Sequence, residues 1–549
     1  MVPSQVYMEA VAGADELLKG CLDARLGPGL SLAITTRDGL VTARAYGEAN
    51  ADSREPVTVR TLFQIGSITK HVIAVACLRL FAAGSLDPQA PVTDYLAWFE
   101  VGSRFDRPIT LHHLLTHTSG LIMMMDCCPS SWWQTWALRD TELGFEPGAQ
   151  FSYSNVGYNV LQCVIQTITG LSLDAALRDL VFEPLGMNES YGEIRNDLHH
   201  RMASGHRLSA HDDRPVSRPR KQTVVNSYEM SAGCGSVVTT PTDLARLLRM
   251  LLNGGRADDG SVFLDGAVYA MLTHPYVEMP GFFAGTSQGY GVLIEQSEET
   301  RGHRRILGGG ENLGFEAAMY GDLDVGVGVI LFCNSFDVPW METRWLLDAV
   351  LASAEAAVLP ELPVIAVDDR TVLAEDAAAY VGAYRDGERS FNIASASGRV
   401  RFMTGGTSAI LERIYGDNFI VAHPGFDHAM LSFGRDEGGR VVEAFQHGDW
   451  YRNDAYRGPL EYDYPKAWDA YVGRFRAYGI LVGKLTFFVR KGELVCQSCG
   501  GYVDTPLVPL GGGIFRVGGE TSPHRMSFDC VADGKALRCR ASDGDFYRA

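Results

Sequence analysis

Lysine is scarce in this chain, seven residues among 549, and the 48 lysines and arginines together are outnumbered by 66 aspartates and glutamates. A formal charge of -18 argues against a nucleic-acid binder that works by neutralising phosphates. Long apolar runs are also missing. The longest uncharged apolar stretch, Val325 to Ser335, falls well short of the ~18 residues that a membrane helix needs. No basic-then-apolar leader precedes Glu9, so a soluble cytoplasmic protein is expected. Cysteine is sparse and odd in number, eleven scattered residues, which reads as reduced thiols and not as a disulfide framework.

What is present is enough apolar residue, 46%, to bury several cores, with 60 glycines to punctuate them. A prior of ~150 residues per domain suggests three or four units. Strand-like and helix-like segments mix up to residue 357. Leu30 to Ala45 reads as two strands about the turn Arg37-Asp38-Gly39. Helical patterning follows from Ser67 to about residue 255, strands return in Arg305 to Cys333, and Trp340 to Ala357 is helical again. Residues 358–373, with Pro360 and Pro363, read as a linker. The remainder alternates in short strands with glycine turns and repeats itself. Ala379-Tyr380-Val381-Gly382-Ala383-Tyr384-Arg385 recurs as Ala470-Tyr471-Val472-Gly473-Arg474-Phe475-Arg476, and Gly448-Asp449-Trp450-Tyr451-Arg452 recurs as Gly544-Asp545-Phe546-Tyr547-Arg548. Two tandem antiparallel β-barrels, 374–458 (lipocalin-like) and 465–549, account for such units, because closure removes the unpaired edges.

Reactive chemistry concentrates in the first unit. Ser67-Ile68-Thr69-Lys70 precedes the apolar run Val72-Ile73-Ala74-Val75-Ala76-Cys77-Leu78, so Ser67 falls at the first turn of a buried helix with Lys70 one turn on. An interior lysine near a helix N-terminus has its ammonium form disfavoured and can take the proton of a serine hydroxyl. Tyr153-Ser154-Asn155 is the second candidate. A phenol can shuttle a proton between nucleophile and leaving group, and an amide can orient lysine and substrate carbonyl. Tyr451-Arg452-Asn453 fits the same pattern but belongs to the barrel repeat, and reads as structural.

At these residues the sequence resembles the serine β-lactamase-like, penicillin-recognising hydrolases, in particular the branch related to class C β-lactamases. Thr61 to Lys70 looks like the nucleophile segment, Ile109 to Leu121 with His117-Thr118-Ser119-Gly120 like a further signature, Glu146 to Asn155 like the tyrosine motif, and Ala232 to Arg246 like another block. The resemblance implies an α+β fold: a β-lactamase/transpeptidase-like catalytic domain over residues 1–357, with an antiparallel sheet flanked by helices plus an all-helical region, followed by the two barrels. It implies Ser67, Lys70, Tyr153 and Asn155 as catalytic residues. Relatives with two barrels resemble the D-stereospecific aminopeptidases.

One departure is informative. Where the family usually carries Lys or His, any residue, then Gly, this chain has Gly308-Gly309-Gly310. A hydrogen bond to a charged group contributes ~1.5–3 kcal/mol, so carboxylate-bearing ligands lose roughly one to two powers of ten in affinity. That argues against a carboxypeptidase and against an efficient β-lactamase. The resemblance places the Glu311 N–H beside that of Ser67 as an oxyanion pair. Gly308, Gly310, Glu311 and Asn312 are the candidate substrate contacts, with the Glu311 carboxylate either favouring a substrate amine or pointing to solvent.

Other features carry less. Trp132, Trp133 and Trp136 with Met123 to Met125 read first as packing and second as an acyl pocket. Cys496, Cys499, Cys530 and Cys539 lack a ribbon's paired spacing and read as buried free thiols, not a zinc site. The adjacent pairs His112, His113 and His199, His200 diverge, so no metal site is expected, and no cofactor is needed. Arg214 to Lys221 reads as a solvated basic loop. The expected function is a serine hydrolase that forms an acyl-enzyme on Ser67 and cleaves small peptides or aminoacyl amides, as a D-aminopeptidase-like amidase. A cytosolic esterase or acyltransferase, and a ligand-binding pseudoenzyme, are the alternatives. The expected partner is a small peptide, amide or ester, with no nucleic acid and no membrane, and a homodimer is left open.

Overall fold

The fold is that of a computed structural model, which describes all residues except 1–4, 25–26, 126–129, 209–221, 226–227, 281–284, 336–339, 364–376, 397–398, 422, 424–425, 427–429, 478–482 and 498–503. The basic segment 214–221, Cys499 and the later part of the expected linker lie outside the described residues. Two compact units divide the chain, Met1–Arg207 with Gln222–Ile365, and Leu208–Lys221 with Ala366–Ala549.

The first unit is built on a nine-stranded antiparallel sheet. Its strands are β1 (Gly29–Thr36), β2 (Gly39–Asn50), β3 (Glu55–Pro56), β4 (Val277–Glu278), β5 (Thr286–Gln288), β6 (Leu293–Glu295), β7 (Arg305–Asn312), β8 (Phe315–Asp322) and β9 (Val327–Cys333). The spatial order is β3-β2-β1-β9-β8-β7-β6-β5-β4, so the N-terminal hairpin docks on the C-terminal strand, with Leu32 opposite Leu331. Both faces are covered, which is why β8 and β9 are buried at every position and show no polar alternation. Helices α1 (Met8–Asp23) and, at the end of the unit, Trp340–Ala354 pack Leu17, Leu18, Leu346 and Leu347 against Leu30, Leu32, Val329 and Leu331. On the opposite face α2 (Thr69–Ala82) and the amphipathic helix Pro241–Leu252 pack on Ile330, Phe332, Ala317 and Met319.

The helical patterning after Ser67 resolves into separate helices, among them α3 (Ser131–Ala137) and α4 (Asn155–Thr169), joined by irregular chain. Gly120 and Gly148 mark the interruptions, each with positive φ and with backbone or side-chain atoms where a Cβ would stand. No single helix among the described residues is long and apolar enough to cross a membrane.

The second unit contains two closed eight-stranded barrels. The duplicated motifs form the seams. In the first barrel the opening strand, Gly382–Asp386, meets the closing strand, Asp449–Arg452, through Arg385 opposite Arg452. In the second, Gly473–Arg476 meets Gly544–Arg548 through Phe475 opposite Arg548. Repetition of both ends of the unit is thus a repetition of closure. Aromatic rings fill each interior, Phe402 lying 4.9 Å from Phe391 and 4.6 Å from Phe426 between ring centroids. Tyr451 is part of that core and Asn453 ties the closing strand to Val441, as their membership of the repeat predicts. Cys496 and Cys539 are buried free thiols, whereas Cys530 is exposed at a position with φ of 54°. Replacing Phe402, fully buried, with alanine should cost about 3–5 kcal/mol of stability, read by urea unfolding followed through barrel tryptophan fluorescence.

Candidate active site

Ser67 is delivered by a turn that needs glycine. A short strand, Phe63–Gln64, pairs with Val238–Thr239 and fixes the approach. Gly66 then takes a left-handed φ of 48°, and a Cβ on it would collide with the Glu311 carbonyl and stand 2.6 Å from the Glu311 nitrogen. A 3-10 turn, Gly66–Ile68, leads into α2, whose Thr69 hydroxyl accepts from the Val237 N–H at 3.1 Å. Gly310 on β7 faces the same turn. A Cβ there would run into the Ile65 carbonyl oxygen and stand 2.7 Å from the Ser67 nitrogen. Two glycines let strand and turn touch backbone to backbone, which brings the N–H groups of Ser67 and Glu311 into one small region.

Two polar side chains converge on the half-buried Ser67 hydroxyl. Lys70 Nζ lies 3.0 Å from Ser67 Oγ and Tyr153 OH lies 2.8 Å from it. Lys70 is 3% exposed, donates at 2.8 Å to the Cys234 carbonyl, and pairs with no carboxylate among the described residues. Its Nζ stands over the rings of Tyr153 and Tyr158, 4.9 and 5.6 Å from their centroids. Either hydrogen-bond partner of Ser67 is placed to take its proton, and the other to return one to a leaving group.

Residues 14–352, more than half of the chain, match the Beta-lactamase family. The chain belongs to that family. Penicillin-binding protein 4 of Amycolatopsis lactamdurans is 32% identical over 254 residues, 45% of this chain and 65% of that protein. Esterase EstB of Burkholderia gladioli is 34% identical over 180 residues, 29% of this chain and 46% of the esterase. The match thus spans less than two thirds of the length of these curated relatives. Among solved structures, the D-amino acid amidase of Ochrobactrum anthropi SV3 complexed with L-phenylalanine amide superposes with a TM-score of 0.51 at 23% identity, covering 63% of this chain and 99% of the amidase. This is a β-lactamase-fold chain of a serine-hydrolase family whose neighbours include esterases, amidases and penicillin-binding proteins.

Around that family centre the other candidate residues are placed unequally. Asn155 opens α4 half-buried; its backbone N–H donates to the Met123 carbonyl at 2.6 Å, but its side-chain amide bonds neither Ser67 nor Lys70. The amide that acts on the lysine's surroundings is Asn159, one turn later, whose Oδ1 accepts from the Cys234 N–H at 3.2 Å while its Nδ2 donates to Gln134 at 2.8 Å. Asn312 is engaged internally. Its Oδ1 accepts from Tyr228 OH at 2.5 Å and its Nδ2 donates to the Gly235 carbonyl at 3.2 Å.

Gly308 has a neighbour that the sequence did not announce. A Cβ on it would stand 2.9 Å from both Cε1 and Nε2 of His71, a fully enclosed side chain from α2. Neither ring nitrogen of His71 has a partner in hydrogen-bond geometry, although the Leu307 backbone approaches it. Burial pulls its pKa down to about 4, so an uncharged imidazole lies against the strand where a motif cation would start. Glu311 follows the strand's alternation. It shares a face with Gly309, where a Cβ would collide with the Trp340 indole, and stands opposite Glu316 of β8. Its side chain reaches solvent, makes no ion pair among the described residues, and has its carboxyl raised above the usual range by the protein around it. Trp132, Trp133, Trp136 and Met123 are all more than a third exposed, so the aromatic segment is a surface and not core packing.

What sequence reasoning missed is mostly backbone. The Cys234 carbonyl acts on Lys70 whatever its side chain is, and only the family block Ala232 to Ser236 flagged the segment.

Proposed function

We propose that this chain is an amidase that forms an acyl-enzyme on Ser67 and prefers small substrates with a free amine, in the manner of a D-aminopeptidase. The convergence of Lys70 and Tyr153 on Ser67, at 3.0 and 2.8 Å, carries the reading. Ser67 Oγ attacks the substrate carbonyl as its proton passes to Lys70 or Tyr153. The Ser67 and Glu311 N–H groups hold the oxyanion, and the leaving amine departs with a proton from the same pair. A water, activated in reverse, then releases the acid.

The finer preference rests on charge. No cation stands at Gly308, and the space beside it is taken by the neutral His71. A carboxylate without an ion-pair partner among the described residues stands at Glu311, across the ladder from a second carboxylate at Glu316. That arrangement disfavours a substrate carboxylate beside Gly308 and favours an ammonium that reaches past β7 to the face of Gly309, on the other side of the strand from the nucleophile turn. The similarity to EstB supports a second reading, an esterase with no use for either charge.

A panel of D- and L-aminoacyl amides, their N-acetylated forms, short esters and free-carboxylate peptides tests the choice. Aminoacyl amides should be cleaved with the highest kcat/KM. In Glu311→Gln, KM for amine-bearing substrates should rise about 10-fold, with N-acetylated ones unchanged. The sign with pH follows from the raised carboxyl. Recognition of the amine should be present while Glu311 is ionised and lost as pH falls through a value above the ordinary carboxylate range, and Glu311→Gln should lack this acid limb in KM. Preference for peptides with a free C-terminal carboxylate would refute the reading.

A further inference from the structure

Beneath the phenol of Tyr153 lies a histidine that none of the steps above uses. His117 is 2% exposed and holds a left-handed backbone with φ of 56°. Among the described residues of its unit, the other non-glycine residues with positive φ, Arg54, Arg301 and Ala356, are all exposed. A buried side chain in this region is costly, and persists where surrounding bonds overdetermine it. Here they do. The Thr118 N–H donates to the His113 carbonyl at 2.8 Å, the Ser152 N–H donates to the His117 carbonyl at 2.7 Å, and the Gly148 N–H donates to the Thr118 carbonyl at 2.7 Å. The turn at 114–118 is thereby clamped to the segment that delivers Tyr153.

The imidazole completes the clamp. Its Nδ1 accepts from the Ser154 N–H at 3.1 Å, which leaves the proton of the neutral ring on Nε2. Its plane lies on the Tyr153 ring with centroids 4.4 Å apart at 32°, and on the Tyr158 ring at 5.0 Å and 39°. Phe151 meets its edge at 5.8 Å. The rings that cover His117 on two sides are those over which Lys70 Nζ stands. Burial first, and then the charge of Lys70, push the imidazole well below its ordinary range, so the ring stays uncharged beside the lysine.

We propose that His117 is a positioning residue: by stacking on Tyr153 and accepting the neighbouring Ser154 N–H, it aims the phenol at Ser67. The inference rests on the hydrolase reading above. Phenylalanine would supply a ring but orphan the Ser154 N–H, and asparagine would supply an acceptor and tolerate the left-handed backbone but remove the ring. The histidine supplies both.

The two substitutions separate these contributions. The measurement is the rate at which a fluorophosphonate probe labels Ser67 in folded protein, with kcat, KM and the pH profile of kcat/KM for a cleaved amide. His117→Asn should keep its Tm within a few degrees, lower the labelling rate and kcat about 10- to 100-fold with KM little changed, and shift the pH profile. His117→Phe should retain most of the labelling rate but lose Tm. A folded His117→Asn that labels at the wild-type rate with the wild-type pH profile overturns the proposal. If His117→Asn does not fold, a folded His117→Phe decides: a labelling rate down as far as that of Tyr153→Phe overturns the stacking role, and a retained rate supports it. Absence of labelling in the wild-type protein itself overturns both the hydrolase reading and this inference, and so is told apart from equal labelling in wild type and variant.

Discussion

Lys70→Met should lower kcat/KM on any cleaved amide by about four powers of ten while leaving the protein folded and at least as stable. The first half follows from the hydroxyl. Ser67 Oγ has two hydrogen-bonding side chains, and the amine of Lys70 at 3.0 Å is the one that burial and the Cys234 carbonyl hold in place. Methionine keeps the stem's volume and removes the proton acceptor. The second half follows from burial: a 3% exposed amine with no carboxylate partner among the described residues is replaced by an apolar group of similar shape. Tyr153→Phe alone should also be severe, but the double variant should be little worse than Lys70→Met, because groups that act on one proton fail together. Steady-state kinetics with thermal melts checks both halves. Additive losses in the double variant would mean that the two side chains serve separate steps.

The next largest effect is expected from a single methyl group. Gly310→Ala places a Cβ against the Ile65 carbonyl and 2.7 Å from the Ser67 nitrogen, both backbone atoms that cannot swing aside. The strand must withdraw from the nucleophile turn, and the Glu311 donor withdraws with it. Loss of one oxyanion donor costs about 2.7–4 kcal/mol in the transition state, or a 10²- to 10³-fold loss in kcat. Gly309→Ala is the control. Its Cβ points to the other face and meets the Trp340 indole, so it should lower Tm with a much smaller effect on kcat per folded molecule. Equal kinetic losses in the two variants would remove the special role given to Gly310.

The reach of the sequence can be judged at particular residues. Ser67, Lys70 and Tyr153 were legible because their chemistry lies in side chains and because spacing along a helix and a motif order fixed their neighbours. The barrels were legible because the repeat marked its own two ends, and those ends proved to be adjacent strands. Glu311 was half legible. The period of two along Gly308-Gly309-Gly310-Glu311 already puts its side chain on the face of Gly309, away from the nucleophile turn. His71 beside Gly308, and Asn159 behind Cys234, were not legible, since each depends on which residue of one helix packs against another segment's backbone. The tryptophans of α3 misled in the ordinary way. Trp is counted as core on average, while these three ride on a short helix whose inward positions are Ser131, Gln134, Thr135 and Ala137.

The seam of each barrel has an evolutionary corollary. Since the chain enters and leaves a barrel on neighbouring strands, Gly382–Asp386 beside Asp449–Arg452 and Gly473–Arg476 beside Gly544–Arg548, each barrel is a detour that returns the chain to where it left. Such a module can be copied in tandem without rerouting the polypeptide on either side, and the two similar halves of this region are what one duplication at that seam would leave behind.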